Sequence, residues 1–234
     1  MFRKTSLLAA TIFAATGALS AETSVHGMAG LILGSNGSRT SMTGNLYNST
    51  YERTTEAIST KPGNLRFLSG GTVGATLMLD DFFIGLSGDV AWANDKATQK
   101  LEETTAQYRA KGARWGVSAS FGYQCQNASP YLRLGAKWKP VRVYIEKHDT
   151  SSDPAVDSTM LNVSKNFGAF STGIGFLWNT SDYVDVGVEG SIDFYGRKTL
   201  KQTVTLGAES YDQSLKVTPR DVQALMYIRF NFGK

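Results

Sequence analysis

Three features of the chain predict an all-β fold, a closed antiparallel barrel that crosses a membrane with its strands. Apolar residues recur at every second position in run after run. A short basic and then apolar leader precedes those runs. Every later apolar stretch is broken by Gly, Ser, Thr or a charged residue, so no segment offers the roughly 20 apolar residues of a spanning helix.

The leader consists of Arg3 and Lys4, the apolar run Leu7 to Ala15, and the small residues Ala18, Ser20 and Ala21. This order predicts a cleaved signal peptide over residues 1–21 and one barrel domain over 22–234. Loss of Arg3 and Lys4 lowers the formal charge from +4 to +2. So small an excess predicts no nucleic-acid partner, because polyanion binding needs concentrated positive charge. The one cysteine, Cys125, cannot form an internal disulfide, so closure of the fold must come from backbone pairing.

Alternation then marks the strands. Phe67, Ser69, Gly71, Val73, Ala75, Leu77 and Leu79 oppose Arg66, Gly70, Thr72, Gly74 and Thr76, and Asp80-Asp81 turns the chain into Phe82, Ile84, Leu86, Val90 and Trp92. Two long alternating runs joined by two residues predict a hairpin. The same parity reading gives about ten strands, at 25–34, 66–79, 82–93, 111–123, 130–138, 141–148, 159–167, 170–178, 183–196 and 220–232. Two boundaries in this count rest on specific signals. At Lys139-Pro140 the apolar face changes parity, which reads as a turn or bulge, and a turn is placed near Gly168. Eight strands is one alternative. Twelve is the other, if 201–206 and 210–217 also span; Met42 to Thr50 and Lys201 to Val217 otherwise read as polar extensions above the membrane. A soluble β-sandwich also alternates, but it would not need the small Gly and Ser residues that crowd the polar faces here.

The polar faces carry both signs of charge: Arg66, Asp89, Arg114, Arg133, Lys137, Arg142, Glu146, Asp185, Glu189, Asp193, Asp221 and Arg229. Inside a barrel such groups either pair or stay hydrated. They therefore predict an ion-paired plug or, alternatively, a narrow pore for small polar solutes. Ten strands leave little room once Arg and aromatic side chains are fitted, which favours the plug. Trp92, Trp115, Trp138 and Trp178 read as an interfacial aromatic girdle, on strands separate enough that mutual packing is not expected. A lipid-facing charge at Val117 or Val186 is expected to impair insertion by roughly 2 to 4 kcal/mol near the midplane.

The signal peptide, the alternating strands, the aromatic residues near strand ends and the final run Met226-Tyr227-Ile228-Arg229-Phe230-Asn231-Phe232 together resemble the bacterial outer-membrane β-barrel superfamily, which includes small porins and opacity-type surface proteins. The resemblance covers Val25 to Phe232. It implies an outer-membrane location, contacts with outer-membrane lipids and lipopolysaccharide, and an assembly signal at Tyr227, Phe230 and Phe232 read by the barrel assembly machinery. The chain departs from that pattern by continuing through Gly233 and Lys234. With the N-terminus in the periplasm, the long polar segments Ser35 to Leu65, Asn94 to Ala110 and Arg197 to Pro219 fall outside the cell.

Other chemistry is thinner. Barrel hydrolases pair aspartates with a His and an Asp, or use His with Ser; here the ingredients are Asp80-Asp81 and His148-Asp149, both read as periplasmic turns, and His26 has no partner suggested by spacing. A loop-borne binding surface is a further class, through Tyr47, Tyr51, Tyr108 and Tyr211. The basic residues Arg39, Arg53, Lys61, Lys96, Lys100, Lys198 and Lys201 are placed to meet lipid phosphates as general anchors. Two histidines and one cysteine far apart supply no metal cluster, and no cofactor is expected.

Overall fold

The structure is a computed structural model describing residues 23–47, 55–60, 63–101, 104–110, 112–125, 128–149, 156–206 and 209–233. The expected signal peptide, Tyr51, Arg53 and Lys61 lie outside these residues. Among them the strands are β1 (Thr23–Tyr47), β2 (Thr55–Thr60), β3 (Gly63–Leu79), β4 (Phe82–Ala93), β5 (Asp95–Leu101), β6 (Thr104–Ala110), β7 (Ala113–Tyr123), β8 (Ala128–Asp149), β9 (Val156–Ser181), β10 (Val184–Tyr195), β11 (Lys198–Leu206) and β12 (Glu209–Phe232).

Eight of them, β1, β3, β4, β7, β8, β9, β10 and β12, form a closed antiparallel ring. Closure rests on the long β1–β12 ladder, from Gly27↔Phe232 to Asn45↔Ser214. Closure leaves no free edge over the lower ring, where each strand has a ladder partner on both sides. The β3–β4 hairpin turns through Asp80-Asp81, where Asp80 holds a left-handed φ of 53° that Asp tolerates better than most residues. The Asp81 carboxylate accepts a bond of 3.1 Å from the Tyr123 hydroxyl and ties this turn to the end of β7.

The other four strands continue ring strands towards the end opposite the chain termini. β5 extends β4 past Asn94, β11 extends β10 past Gly196-Arg197, and β6 and β2 lead into β7 and β3. At that loop end the wall parts into two four-stranded sheets, β2-β1-β12-β11 and β5-β6-β8-β9, with no ladder described between β2 and β5 or between β9 and β11. Between the sheets lies an apolar core in which Val141, Val143, Ile145, Leu161, Leu200 and Leu215 are fully buried. The loop end is thus packed as a sandwich on top of a barrel.

This two-zone construction corrects the strand count. β8 runs unbroken through Lys139-Pro140, with Tyr131, Arg133, Lys139, Val141, Val143 and Ile145 all buried on one face. The chain does not turn there; the surroundings change. Below Lys139 the outside is apolar and the inside charged, while above it the inside is apolar and the outside polar. Pro140 falls beside the break between β6 and β7, where β8 has no described ladder partner on that side. Likewise β9 passes straight through Gly168, with Phe167 inward and Phe170 outward. Two false turns account for ten expected strands against a ring of eight. The three long polar segments are correspondingly not loops for most of their length, since β2, β5, β6, β11 and the upper halves of β1 and β12 are built from them. The strands over Lys198–Leu206 and upper β12 extend ring strands and do not add spans.

Below the boundary the outer face is a continuous apolar belt. Val73, Val117, Ile174 and Met226 each expose more than half their surface, and Leu31, Leu86, Leu132 and Ile228 face the same way. On β8 the belt runs from residue 130 to 138, within the length of about 9 to 11 tilted residues that crosses hydrocarbon. The ring is narrow, and glycines on its inner face admit large neighbours. A Cβ at Gly122 would meet the Phe83 ring at 2.4 Å, and one at Gly175 would meet the Tyr131 ring at 2.5 Å. Phe83 and Tyr131 pack with Leu177 near the terminal end of the lumen.

Candidate functional site

The candidate site is the barrel interior, because strand parity delivers charged residues from five ring strands, β4, β7, β8, β10 and β12, and from β5 into one narrow space. Nine of the twelve charges marked in the sequence meet there: Asp89, Arg114, Arg133, Lys137, Asp185, Glu189, Asp193, Asp221 and Arg229. The other three do not. Arg66 is exposed, Arg142 is exposed and bonded to Asn162 at 2.9 Å, and Glu146 accepts from Tyr144 at 3.0 Å on the outside of the upper sheet. Arg142 and Glu146 have the parity of the apolar belt, but they lie above it.

Two further charges complete the network. Lys139, fully buried, donates to both oxygens of Asp221 at 2.6 and 2.7 Å, and its ammonium lies 4.2 Å from the Tyr195 ring and 5.6 Å from that of Tyr108. Asp95, also fully buried, receives Arg114 and the Asn36 amide, the latter at 3.1 Å. Both were legible by parity. Lys139 follows Arg133 and Lys137 at steps of two, and Asp95 follows Asp89 in the same way; an assumed turn at Lys139 and an assumed loop after Asn94 concealed them.

The network has two tiers. Near the boundary, Asp221 binds Arg114 at 3.1 Å, Lys139, and the Tyr195 hydroxyl at 3.2 Å. Gln223 bridges Asn36 and Asp193 at 3.2 and 2.9 Å while accepting from Lys137 at 2.9 Å. Lower down, Arg133 gathers Asp89, Glu189 at 3.3 Å, Tyr227 at 2.6 Å and Ser118 at 2.8 Å, and the Tyr131 hydroxyl donates to Glu189 at 3.0 Å. Buried charges with this many partners lock one arrangement of side chains, since removing any member strands the rest.

At the terminal end the lumen opens into a recess of about 300 Å³ floored by Arg229, Asp185 and Asn231, with Asn231 donating to Asp185 at 2.9 Å. His26 stands at its rim. Its Nδ1 donates to the Gly233 carbonyl at 3.2 Å, leaving Nε2 to accept from the Ser24 hydroxyl at 2.8 Å. Between this recess and the apolar core, the network encloses cavities of about 30 and 20 Å³, the size of a water molecule or two.

The remaining sequence candidates fall elsewhere. Trp92, Trp115 and Trp178 are exposed on the outer face, and Trp138 is half-buried there. Contrary to the expectation that they stand apart, Trp115 and Trp138 are ladder partners and stack at 4.2 Å and 17°. Phe230 and Phe232 point outward at the end of β12, whereas Tyr227 points inward to Arg133. Tyr108, expected in a loop, is buried in the upper core. The side chains of Tyr47 and Tyr211 lie outside the described residues. His148-Asp149 ends β8 at the loop end and not at a turn beside the termini, so it and Asp80-Asp81 occupy opposite ends of the molecule.

No protein-family model matches the chain, and no curated protein sequence matches it. Solved structures do. The outer membrane protease OmpT from Escherichia coli is 9% identical, covers 88% of this chain and 97% of its own, and superposes with a TM-score of 0.50. OprG from Pseudomonas aeruginosa is 9% identical over 86% of this chain and 95% of its own, with a TM-score of 0.45. Ail from Yersinia pestis is 13% identical over 86% and 98%, with a TM-score of 0.33. The likeness to the OmpT structure is one of fold, which in this chain is a ring of eight antiparallel strands closed edge to edge, with an apolar exterior and a charged interior.

Proposed function

We propose that the protein is a closed outer-membrane barrel whose role is structural or surface-presenting, with the terminal end in the periplasm and the loop end outside the cell. The observation that carries this reading is the apolar core at the loop end. Val141, Val143, Ile145, Leu161, Leu200 and Leu215, each 0% exposed, fill the axis above an interior already crossed by ion pairs. A hydrated path for polar solutes would have to traverse both. The short turn at Asp80-Asp81 beside the termini, with the longer strands at the other end, supports the orientation. Above the belt, about ten residues of strand continue, roughly 25 Å of height after tilt, with polar outer faces suited to presentation. Phe230 and Phe232, on the outer face of the last strand, are the candidate contacts for assembly machinery.

The test is planar-bilayer conductance of refolded mature protein whose folding is established by heat-modifiable gel migration. The expected result is an electrically silent bilayer at protein densities where a porin gives discrete steps. Stable unitary openings from the folded species would overturn the closed reading and make the lumen charges a selectivity element.

A further inference from the structure

We infer that Arg39 and Arg220 form a site for the phosphate group of a membrane lipid headgroup, on the outer wall just above the apolar belt. The inference rests on the membrane placement proposed above but not on the lumen being closed.

The two arginines are direct ladder partners on β1 and β12, and both point outward and are exposed. Like charges placed directly opposite each other weaken a sheet pair unless an anion lies between them. Among the described residues neither is paired with a carboxylate. Arg220 is held by the Phe194 ring, 5.2 Å from its guanidinium carbon. The next pair towards the loop end is Ser41↔Thr218, which adds two hydroxyls.

These groups line a recess of about 300 Å³ together with Tyr195 and Pro219. The recess exists because the wall is notched there: β10 stops at Tyr195, and Gly196-Arg197 has no ladder partner on β12 before β11 begins, although the Gly196 amide still donates to the Gly168 carbonyl at 3.2 Å. Two guanidinium forks and two hydroxyls around a concavity match the oxygens of a phosphate. One step below, Val222 and Leu65 expose 53% and 72% of their surface. The cationic pair therefore stands at headgroup height over a surface for acyl chains, which commits the site to a phosphorylated lipid over a free anion.

The experiment is native mass spectrometry of folded protein in uncharged detergent with three probes: a bisphosphorylated lipid A, its dephosphorylated counterpart, and inorganic pyrophosphate. One retained copy of the phosphorylated lipid is expected, with binding about thirtyfold weaker in R39Q/R220Q. The R109Q/K216Q variant, which loses the same charge at exposed positions elsewhere on the outer wall, is expected to bind as wild type does. Lipid-free R39Q/R220Q is expected to melt no lower than wild type, because its substitutions relieve repulsion; the single variants R39Q and R220Q serve if the double variant does not fold. Equal retention by R39Q/R220Q, equal loss in R109Q/K216Q, equal binding of the dephosphorylated lipid, or displacement by pyrophosphate at the lipid's own concentration would each overturn the assignment. A barrel that conducts ions yet binds lipid in this pattern would overturn the closed reading and leave this site standing.

Discussion

Replacing Asp221 with alanine is expected to destabilise the folded barrel by about 3–5 kcal/mol, the range for removing one partner from a buried ion pair. Asp221 is fully buried and joins Arg114, Lys139 and Tyr195, so its loss leaves the buried Lys139 without a counter-charge and Arg114 with Asp95 alone at the base of the apolar core. Urea unfolding in lipid vesicles, followed by tryptophan fluorescence, measures the effect. Adding Lys139→Met to D221A is expected to recover roughly 2 kcal/mol, because methionine carries no charge into the core and keeps most of the side-chain volume. A D221A barrel within 1 kcal/mol of wild type would mean that water reaches the network and hydrates the orphaned cations. The interior would then not be a closed, ion-paired plug.

Placing arginine at Val117 is expected to cost about 2–4 kcal/mol, the range for a cation on the lipid face near the bilayer midplane. Val117 is 53% exposed and sits between Gly88 and Ala136, in the middle of the belt. Val186 also faces outward, but it lies two residues from the start of β10, so V186R is expected to cost no more than about 1 kcal/mol. Arginine at Thr98, exposed on β5 above the belt, is expected to change stability by less than about 0.5 kcal/mol. The three values together form a depth profile. Equal costs at Val117 and Thr98 would place both in one solvent and remove the boundary at Lys139.

Much of the lower ring was legible because a strand in lipid carries a simple code. Along residues 67–79, 82–92 and 113–123 every second residue turns to the apolar outer face, and the Asp80-Asp81 hairpin follows from two such runs two residues apart. The code failed where its sign reversed. Alternation reports which residues are apolar, not which way they point, and the outer face of β8 changes from apolar to polar at the height of Lys139. Above it Val141, Val143 and Ile145 keep the inward parity of Arg133 but become apolar, because their partner across the axis is now a second sheet. A reading that holds the outside apolar all along must insert a turn, and Pro140 invites one.

The interior followed the same logic. Arg114, Arg133, Glu189, Asp193 and Asp221 were marked by isolated charge among small residues, and they do converge. Arg142 and Glu146 carried the same mark and lie outside, for the reason that moved Val141 inside. Nothing in the sequence told a charge facing the lumen from a charge facing water above the membrane. Only the β1–β12 and β8–β9 ladders, which fix heights between distant segments, separate the two.

The measurement that tests this two-zone barrel most directly is a spin-label accessibility scan along β8. It would use vesicles and a Cys125→Ser background, since Cys125 is exposed and would otherwise be labelled. Labels at Leu132, Leu134 and Ala136 are expected to collide with oxygen as lipid-facing sites do, and labels at Arg142 and Tyr144 with a water-soluble nickel relaxer. Labels at Val141 and Val143 are expected to be shielded from both, in unbroken parity with Arg133. Oxygen-accessible labels at Val141 and Val143 would show the face reversing at Pro140, restore a turn there, and contradict the continuous eight-stranded wall.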